Sequence, residues 1–384
     1  MPDLFDYVAW RGDLEFSQDG LNPVDNLLLS CLSYIHFEDF LLSQSDEPVT
    51  VAQAAARLME IPAKEREALM RTKRDEELLS RLALTKRFGG LRLENPTGHT
   101  DPVLEKQFAA VTVRLGDIGA YVAFRGTDST LVGWKEDFNM AFLPVVPAQA
   151  DAAAYLEEAA RRFDGPLWVG GHSKGGNLAV FAAANTSGEV RTRIRQVFNN
   201  DGPGFGASMM ESRGYLEILP KLSTFLPQSS IVGMLLEHEE DYTVVHSRQV
   251  GIMQHDPYSW EVLGGDFIRL EQITSTSRIL DRTLKDWVRQ MSQQQREEFL
   301  NTLFRLFAVG DARTLAQLPG AWIKNFDQVR QEWRDTSPQT RQLLQRTFGQ
   351  LMQGARHSLA EEAPMACAPS KNAHGWIFPQ EKFI

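Results

Sequence analysis

What narrows the folds open to this 384-residue chain fastest is a run of five residues, Gly171-His172-Ser173-Lys174-Gly175. It follows the apolar segment Pro166-Leu167-Trp168-Val169-Gly170 and precedes Leu178–Ala184, a small-residue stretch of helical character. A strand that turns abruptly into a helix can lift a serine at the bend above a sheet. Bulky residues two positions either side would strike neighbouring backbone, so glycine stands there. The bare spacing also arises at ordinary glycine-rich turns, because glycine and serine are common. The strand before it, the helix after it and the small residues Gly176 and Ala179 point instead to a nucleophile elbow with Ser173 as nucleophile.

The surrounding pattern agrees. Ala109–Leu115 and Gly119–Phe124 read as strands separated by a Gly116-Asp117 turn. Further strands fall at Pro166–Gly170, Ile194–Asn199, Leu222–Leu226 and Tyr242–Val245, with helices at Ala148–Phe163 and Leu178–Ala184 between them. Strands alternating with helices imply a mostly parallel central sheet covered on both faces. Together with the elbow, this predicts the α/β class and the α/β-hydrolase fold. From Pro23 to Leu93 the chain reads mainly helical, with Thr50 as N-cap of Val51–Met59 and one long helical stretch over Ala63–Arg87. Helices also read over Thr276–Phe307 and much of Asn325–Met352. The expected organisation is a helical N-terminal region over 1–105, a hydrolase core over 106–270, a helical C-terminal extension over 271–360 and a loosely ordered tail over 361–384.

Composition limits partners. Hydrophobic residues make up 43% and charged residues 23%, which suits a folded soluble chain and not general disorder. With a net charge of −10, no whole-surface attraction for nucleic acid is expected. Short mixed runs such as Lys64-Glu65-Arg66 and Arg71-Thr72-Lys73-Arg74 read as solvated helix faces. Cys31 and Cys367 have no metal-ligand spacing and fit isolated thiols in a reducing cytosol. The N-terminus has no secretory pattern and no stretch reaches the roughly 18 apolar residues of a membrane span. A cytoplasmic location is therefore expected, with peripheral membrane contact and oligomeric state left open.

The chemistry needs more than a serine. Val122–Phe124 ends in Arg125-Gly126-Thr127-Asp128-Ser129, a glycine turn with hydroxyl residues upstream of the elbow. Such a loop can supply one oxyanion-hole donor; the other is the backbone N–H after the nucleophile, here Lys174. Phe124-Arg125-Gly126-Thr127, then Gly133-Trp134 and Asp137, followed by the Gly-His-Ser-x-Gly-Gly elbow, resembles the class 3 lipases. More closely, Gly171–Ala179, Asn199–Phe205, Gln254–Asp256 and the N-terminal Phe5–Asp13 are similar to a group of uncharacterised bacterial lipase-like proteins, over about residues 5 to 265. The resemblance implies that Thr127 is an oxyanion-hole residue and that the substrate is an acyl ester or lipid. Lys174 departs from the apolar residue usual after the serine. It would either favour an anionic substrate or pair with a nearby acid.

In these hydrolases the chain order is serine, acid, histidine. Asp201 follows the strand Ile194–Asn199 and opens a turn, Asp201-Gly202-Pro203-Gly204, so it serves as the acid or as an aspartate chosen for turn chemistry. The usual class 3 acid position, near Pro227-Gln228-Ser229, has no carboxylate. Asp241 and Asp256 are weaker candidates. Among the histidines that follow, His255 stands in a loop after Gly251; His246 closes an apolar run and suits a structural role; His238 sits among acids. His172 should pack or hydrogen-bond beneath the turn, and His357 and His374 lie in or near the tail. The reaction expected is acyl transfer by Ser173, His255 and Asp201, with no metal or organic cofactor required. A non-catalytic binding or scaffolding role on the same fold is the alternative. Ile231–Leu236 would line an acyl pocket, act as a lid, or be a buried segment.

Overall fold

The computed structural model describes residues 1–41, 48–127, 136, 140, 145–230, 232–234, 240–274, 298, 302, 325–338, 340–342 and 345. Strand β3 (Lys106–Arg114) is buried at every position but its two ends, which demands cover on both faces. Its side chains divide with the two-residue period of a strand. Val111 and Val113 join one hydrophobic core, while Phe108 and Ala110 join another on the opposite face. Strand β4 (Ala120–Phe124) does the same, with Tyr121 and Ala123 on one side and Val122 and Phe124 on the other.

The first core is filled by N-terminal helices: α1 (Leu4–Arg11), α2 (Pro23–Leu32), α3 (Val51–Glu60) and α4 (Lys73–Ala83). Helix α2 starts on a capping box in which Asn22 and Asp25 satisfy each other's backbone N–H groups. All four of its leucines, Leu27, Leu28, Leu29 and Leu32, are fully buried, and complete burial of one such side chain is worth about 1.5–3 kcal/mol. The second core is covered by α5 (Pro147–Arg162) and α6 (Lys174–Asn185).

Among the described residues the main sheet has the order β1-β2-β3-β4-β5-β6-β7-β8-β11. Its members not yet defined are β1 (Val49–Thr50), β2 (Arg92–Asp101), β5 (Leu167–His172), β6 (Ile194–Asn200), β7 (Leu222–Pro227), β8 (Tyr242–Val245) and β11 (Arg269–Leu270). Strands β4 to β8 run parallel, β1 to β4 pair antiparallel, and β11 closes the far edge antiparallel to β8. A separate hairpin joins β9 (Val262–Leu263) and β10 (Asp266–Phe267). A mixed sheet with a parallel centre, helices on both faces and a strand-turn-helix at β5–α6 is the α/β-hydrolase architecture.

Three features differ from the expectation. Residues 92–101, read within a helical region, form β2, whose pairing with β3 shifts register between Glu94 and Thr97. Pro96 and Gly98 hide this strand from a propensity reading, because proline is tolerated in a sheet at such irregularities. The long helical stretch over Ala63–Arg87 is broken. A turn at Ala63–Arg66 passes through a 3-10 turn to an extended Met70, and a new helix starts at Lys73 on the Thr72–Asp75 capping box. Finally, Arg71 is not on a solvated face: its guanidinium lies 4.1 Å over the Tyr34 ring and 3.8 Å from the buried Asp75. Cys31 is buried. Cys367, the tail and most of 276–307 lie outside the described residues, whereas Phe326–Asp335 is helical (α7). No described helix is long and apolar enough to cross a membrane.

Candidate active site

Ser173 sits between β5 and α6 with φ 59° and ψ −133°, a conformation few side-chain-bearing residues adopt and one that costs about 1–3 kcal/mol. The close packing explains the flanking glycines. A Cβ on Gly175 would lie 2.1 Å from the Phe124 carbonyl oxygen, and one on Gly171 would lie 2.3 Å from the Gly175 carbonyl carbon. The Ser173 N–H donates to Asn200 O at 2.9 Å, which ties the bend to the end of β6. One strand further on, the Asp201 N–H donates to Phe225 O at 2.9 Å. Asp201 also has a positive φ, 53°, a conformation that aspartate tolerates better than most residues.

The third side chain arrives on the 3-10 turn Gly251–His255. His255 Nε2 lies 2.9 Å from Ser173 Oγ, and His255 Nδ1 lies 2.6 Å from Asp201 Oδ2. Asp201 Oδ1 accepts from Ser230 Oγ at 2.5 Å and from the Gly233 N–H at 3.2 Å. The carboxylate is fully buried, and these donors replace the water it has lost. Ser230 follows β7, close to where a class 3 acid would stand; here that stretch contributes a hydrogen-bond donor to an acid at the end of β6.

The turn bearing His255 is pinned at several points. Trp260 Nε1 donates to Gln254 O at 2.9 Å. The Gln254 side chain accepts from the Ser229 N–H and donates to Gln249 O. His172 Nε2 lies 2.8 Å from His255 O, while its Nδ1 is 2.8 Å from the Tyr34 hydroxyl. Burial first, then the charges of His255 and Arg71, hold the His172 imidazole well below the ordinary histidine range. The expectation that this ring lies buried against the turn agrees with these contacts.

Lys174 does what the second of its two readings described. Its ammonium is buried, 3.0 Å from Glu136 Oε2, 2.6 Å from Gln107 Oε1 and 2.8 Å from Gln107 O. Glu136 also accepts from the Gln107 and Ala148 N–H groups, both at 3.0 Å. The cation is therefore committed to an internal acid. Its backbone N–H is the first of α6, a position with no intrahelical acceptor. Thr127 follows β4 and is half-buried.

The remaining candidates lie elsewhere. His246 Nδ1 pairs with Glu261 Oε2 at 2.7 Å. Asp241 is exposed, and Asp256 caps the turn at Tyr258 and lies 3.8 Å from Arg74. His238, His357, His374, Gly133-Trp134, Asp137 and much of Ile231–Leu236 lie outside the described residues; within that last segment Gly233 and Met234 are buried. Beneath the elbow is a network that the sequence reading missed. Asn200 Nδ2 donates to Gly171 O, Asn26 Oδ1 and Ser30 Oγ, Asn26 Nδ2 returns a bond to Asn200 Oδ1, and Tyr121 OH joins them. Asn26 and Asn200 are 174 positions apart, and no local pattern links them. His36, Glu38 and Asp39 gather potential metal-ligand atoms, but Arg125 already holds both Glu38 oxygens, at 2.7 and 2.8 Å.

Comparison with known proteins matches residues 82–305, more than half of the chain, to the model of the Mbeg1-like family. None of the curated proteins matches significantly. Among solved structures, the chain is similar to that titled "Crystal structure of M37 lipase", with 16% identity and a TM-score of 0.37 over 56% of this chain and 70% of that one.

Proposed function

The chain belongs to the Mbeg1-like family, and from that premise and the geometry of its site we propose that it is a serine hydrolase of carboxylic esters, acting through Ser173, His255 and Asp201. The observation that carries this reading is the unbroken series of contacts from Ser173 Oγ to His255 Nε2 (2.9 Å) and from His255 Nδ1 to Asp201 Oδ2 (2.6 Å). A carboxylate can only accept, so ionised Asp201 selects the imidazole tautomer with hydrogen on Nδ1. Nε2 then presents a lone pair to the serine hydroxyl.

In the reaction, His255 Nε2 takes the Ser173 proton as Oγ bonds to the ester carbonyl carbon. The negative charge that develops on the carbonyl oxygen is met by the Lys174 and Thr127 backbone N–H groups. Collapse of the tetrahedral intermediate breaks the ester C–O bond, and the leaving alcohol takes the proton from His255. Water then attacks the acyl-serine by the same route and releases the acid. Acyl lipids are the substrate class suggested by the resemblance to class 3 lipases. Because the Lys174 cation is paired with Glu136, selection of an anionic substrate by that residue forms no part of the proposal.

A fluorescent fluorophosphonate probe tests the reading. The folded wild type should label, Ser173→Ala should not, and His255→Ala should label at least about a thousand-fold more slowly. A folded wild type that does not label, or Ser173→Ala that labels as well as wild type, would overturn it and leave the binding or scaffolding role. Hydrolysis of p-nitrophenyl esters of increasing chain length then separates short-chain esterase from lipid substrates.

A further inference from the structure

The buried His172 ring makes two hydrogen bonds that no step above uses. One joins its Nε2 to the main-chain carbonyl of His255, at 2.8 Å. The other joins its Nδ1 to the hydroxyl of Tyr34, also at 2.8 Å, just beyond the end of α2. The rings of His172 and His255 lie with centroids 4.6 Å apart, tilted by 36°. The residue beside the proposed nucleophile is thus bonded directly to the main chain of the proposed base, across 83 positions of sequence.

We infer that His172 is a positioning residue, whose Nε2–H holds the His255 carbonyl and thereby sets the His255 imidazole over Ser173, and that Tyr34 fixes the tautomer this requires. The inference rests on the triad reading above.

Proton bookkeeping leads to one arrangement. A carbonyl oxygen only accepts, so His172 Nε2 must carry hydrogen. A neutral imidazole then has a bare Nδ1, which can only accept, so the Tyr34 hydroxyl gives its one hydrogen to Nδ1 at 2.8 Å rather than to the His172 main-chain oxygen, which lies further off at 3.3 Å. A doubly protonated His172 would also satisfy the His255 carbonyl. Full burial opposes that state, as do Arg71, whose guanidinium lies 4.1 Å over the Tyr34 ring, and His255 itself. The opposite neutral tautomer would set a bare Nε2 against a carbonyl oxygen, two acceptors 2.8 Å apart. Tyr34 is thereby more than packing: it belongs to the N-terminal region, so the region covering one face of the sheet helps position the base.

Glutamine and leucine separate this role from simple filling. A glutamine amide reaches about as far as imidazole Nε2 and can donate to the His255 carbonyl; leucine fills comparable space and cannot. His172→Leu should lower kcat for a p-nitrophenyl ester and the fluorophosphonate labelling rate by about 10–100-fold, the scale expected when a reacting group shifts by about 1 Å. KM should stay within about two-fold, since uniform binding is untouched. His172→Gln should recover most of the loss.

Folded His172→Leu that labels within about two-fold of wild type would overturn the inference and leave the triad reading intact. An unlabelled wild type would overturn both. Should His172→Leu fail to fold, nitrogen-15 NMR of the wild type still decides. The inference requires His172 neutral with hydrogen on Nε2, and a signal showing hydrogen on Nδ1 would overturn it. Tyr34→Phe, which keeps the ring and removes the donor, should slow labelling less than His172→Leu does, by about 3–10-fold; a wild-type rate would remove Tyr34 from the scheme.

Discussion

On one side of Ser173, His172 is buried as a neutral ring between Tyr34 and the His255 carbonyl; on the other, Lys174 is buried as a cation against Glu136 and Gln107. The two residues share the elbow but face different partners. His172 meets the N-terminal helices, whereas Lys174 meets Gln107 of β3 and Glu136. Proximity to the base accounts for the difference. Two unit charges 4 Å apart interact by about 4 kcal/mol at an effective dielectric near 20. A charged ring beside His255 would therefore oppose the imidazolium that forms during proton transfer. Lys174 can stay charged because an acid and two amide oxygens answer it within the same cluster.

Three experiments would break or sharpen that contrast, beyond those above. Lys174→Met leaves Glu136 buried beside an apolar side chain, and losing one member of a buried pair costs about 3–5 kcal/mol. Urea unfolding should show a loss of that order, with much of it regained in the Lys174→Met, Glu136→Gln double variant. A single variant as stable as wild type would mean that the pair is not the fastener described. Gln107→Leu removes one acceptor from the ammonium and keeps the other contacts. It should cost about 1.5–3 kcal/mol in the same assay, and an unchanged midpoint would assign the cluster to Glu136 alone.

The smallest effect belongs to His172 and depends on pH. Its folded pKa is held below the usual value of 6.5. Its stabilising share is therefore fully present above pH 6.5 and is lost as pH falls from there through the folded pKa, because the unfolded chain takes up a proton that the folded chain refuses. The slope from this group approaches about 1.4 kcal/mol per pH unit. Urea midpoints between pH 7 and pH 5.5 should fall more steeply for wild type than for His172→Gln. Parallel curves would mean that the ring takes up its proton as readily in the folded chain as in the unfolded one.

The parallel strands were legible because each is a short segment with apolar residues set between turn residues, and Thr50 was legible as a cap because the box it forms joins positions only three apart. Strand β2 was not, since its Asn95-Pro96 irregularity and Gly98 resemble a loop in one dimension. Arg71 was misread for a related reason: a basic run signals solvent unless a partner from elsewhere, here Tyr34, covers it. Of the site, the elbow pattern, chain order and position after a strand or in a loop pointed to Ser173, Asp201 and His255, which the fold brings within hydrogen-bond distance of one another. Ser230, Gln107, Glu136 and Tyr34 carried no such signal, because each acts on a residue far along the chain.

Local sequence thus settles the strand-turn-helix at Ser173, since the glycines two positions either side are required by backbone approach closer than any Cβ permits. It also settles the two-faced strands, because a two-residue period sends alternate side chains to opposite layers. Whether Lys174 meets substrate or acid, and which groups hold Asp201 and His255, was decided only in three dimensions. Those answers depend on buried polar atoms finding partners, and a buried donor or acceptor takes whichever partner the packed chain brings to it, however distant in sequence.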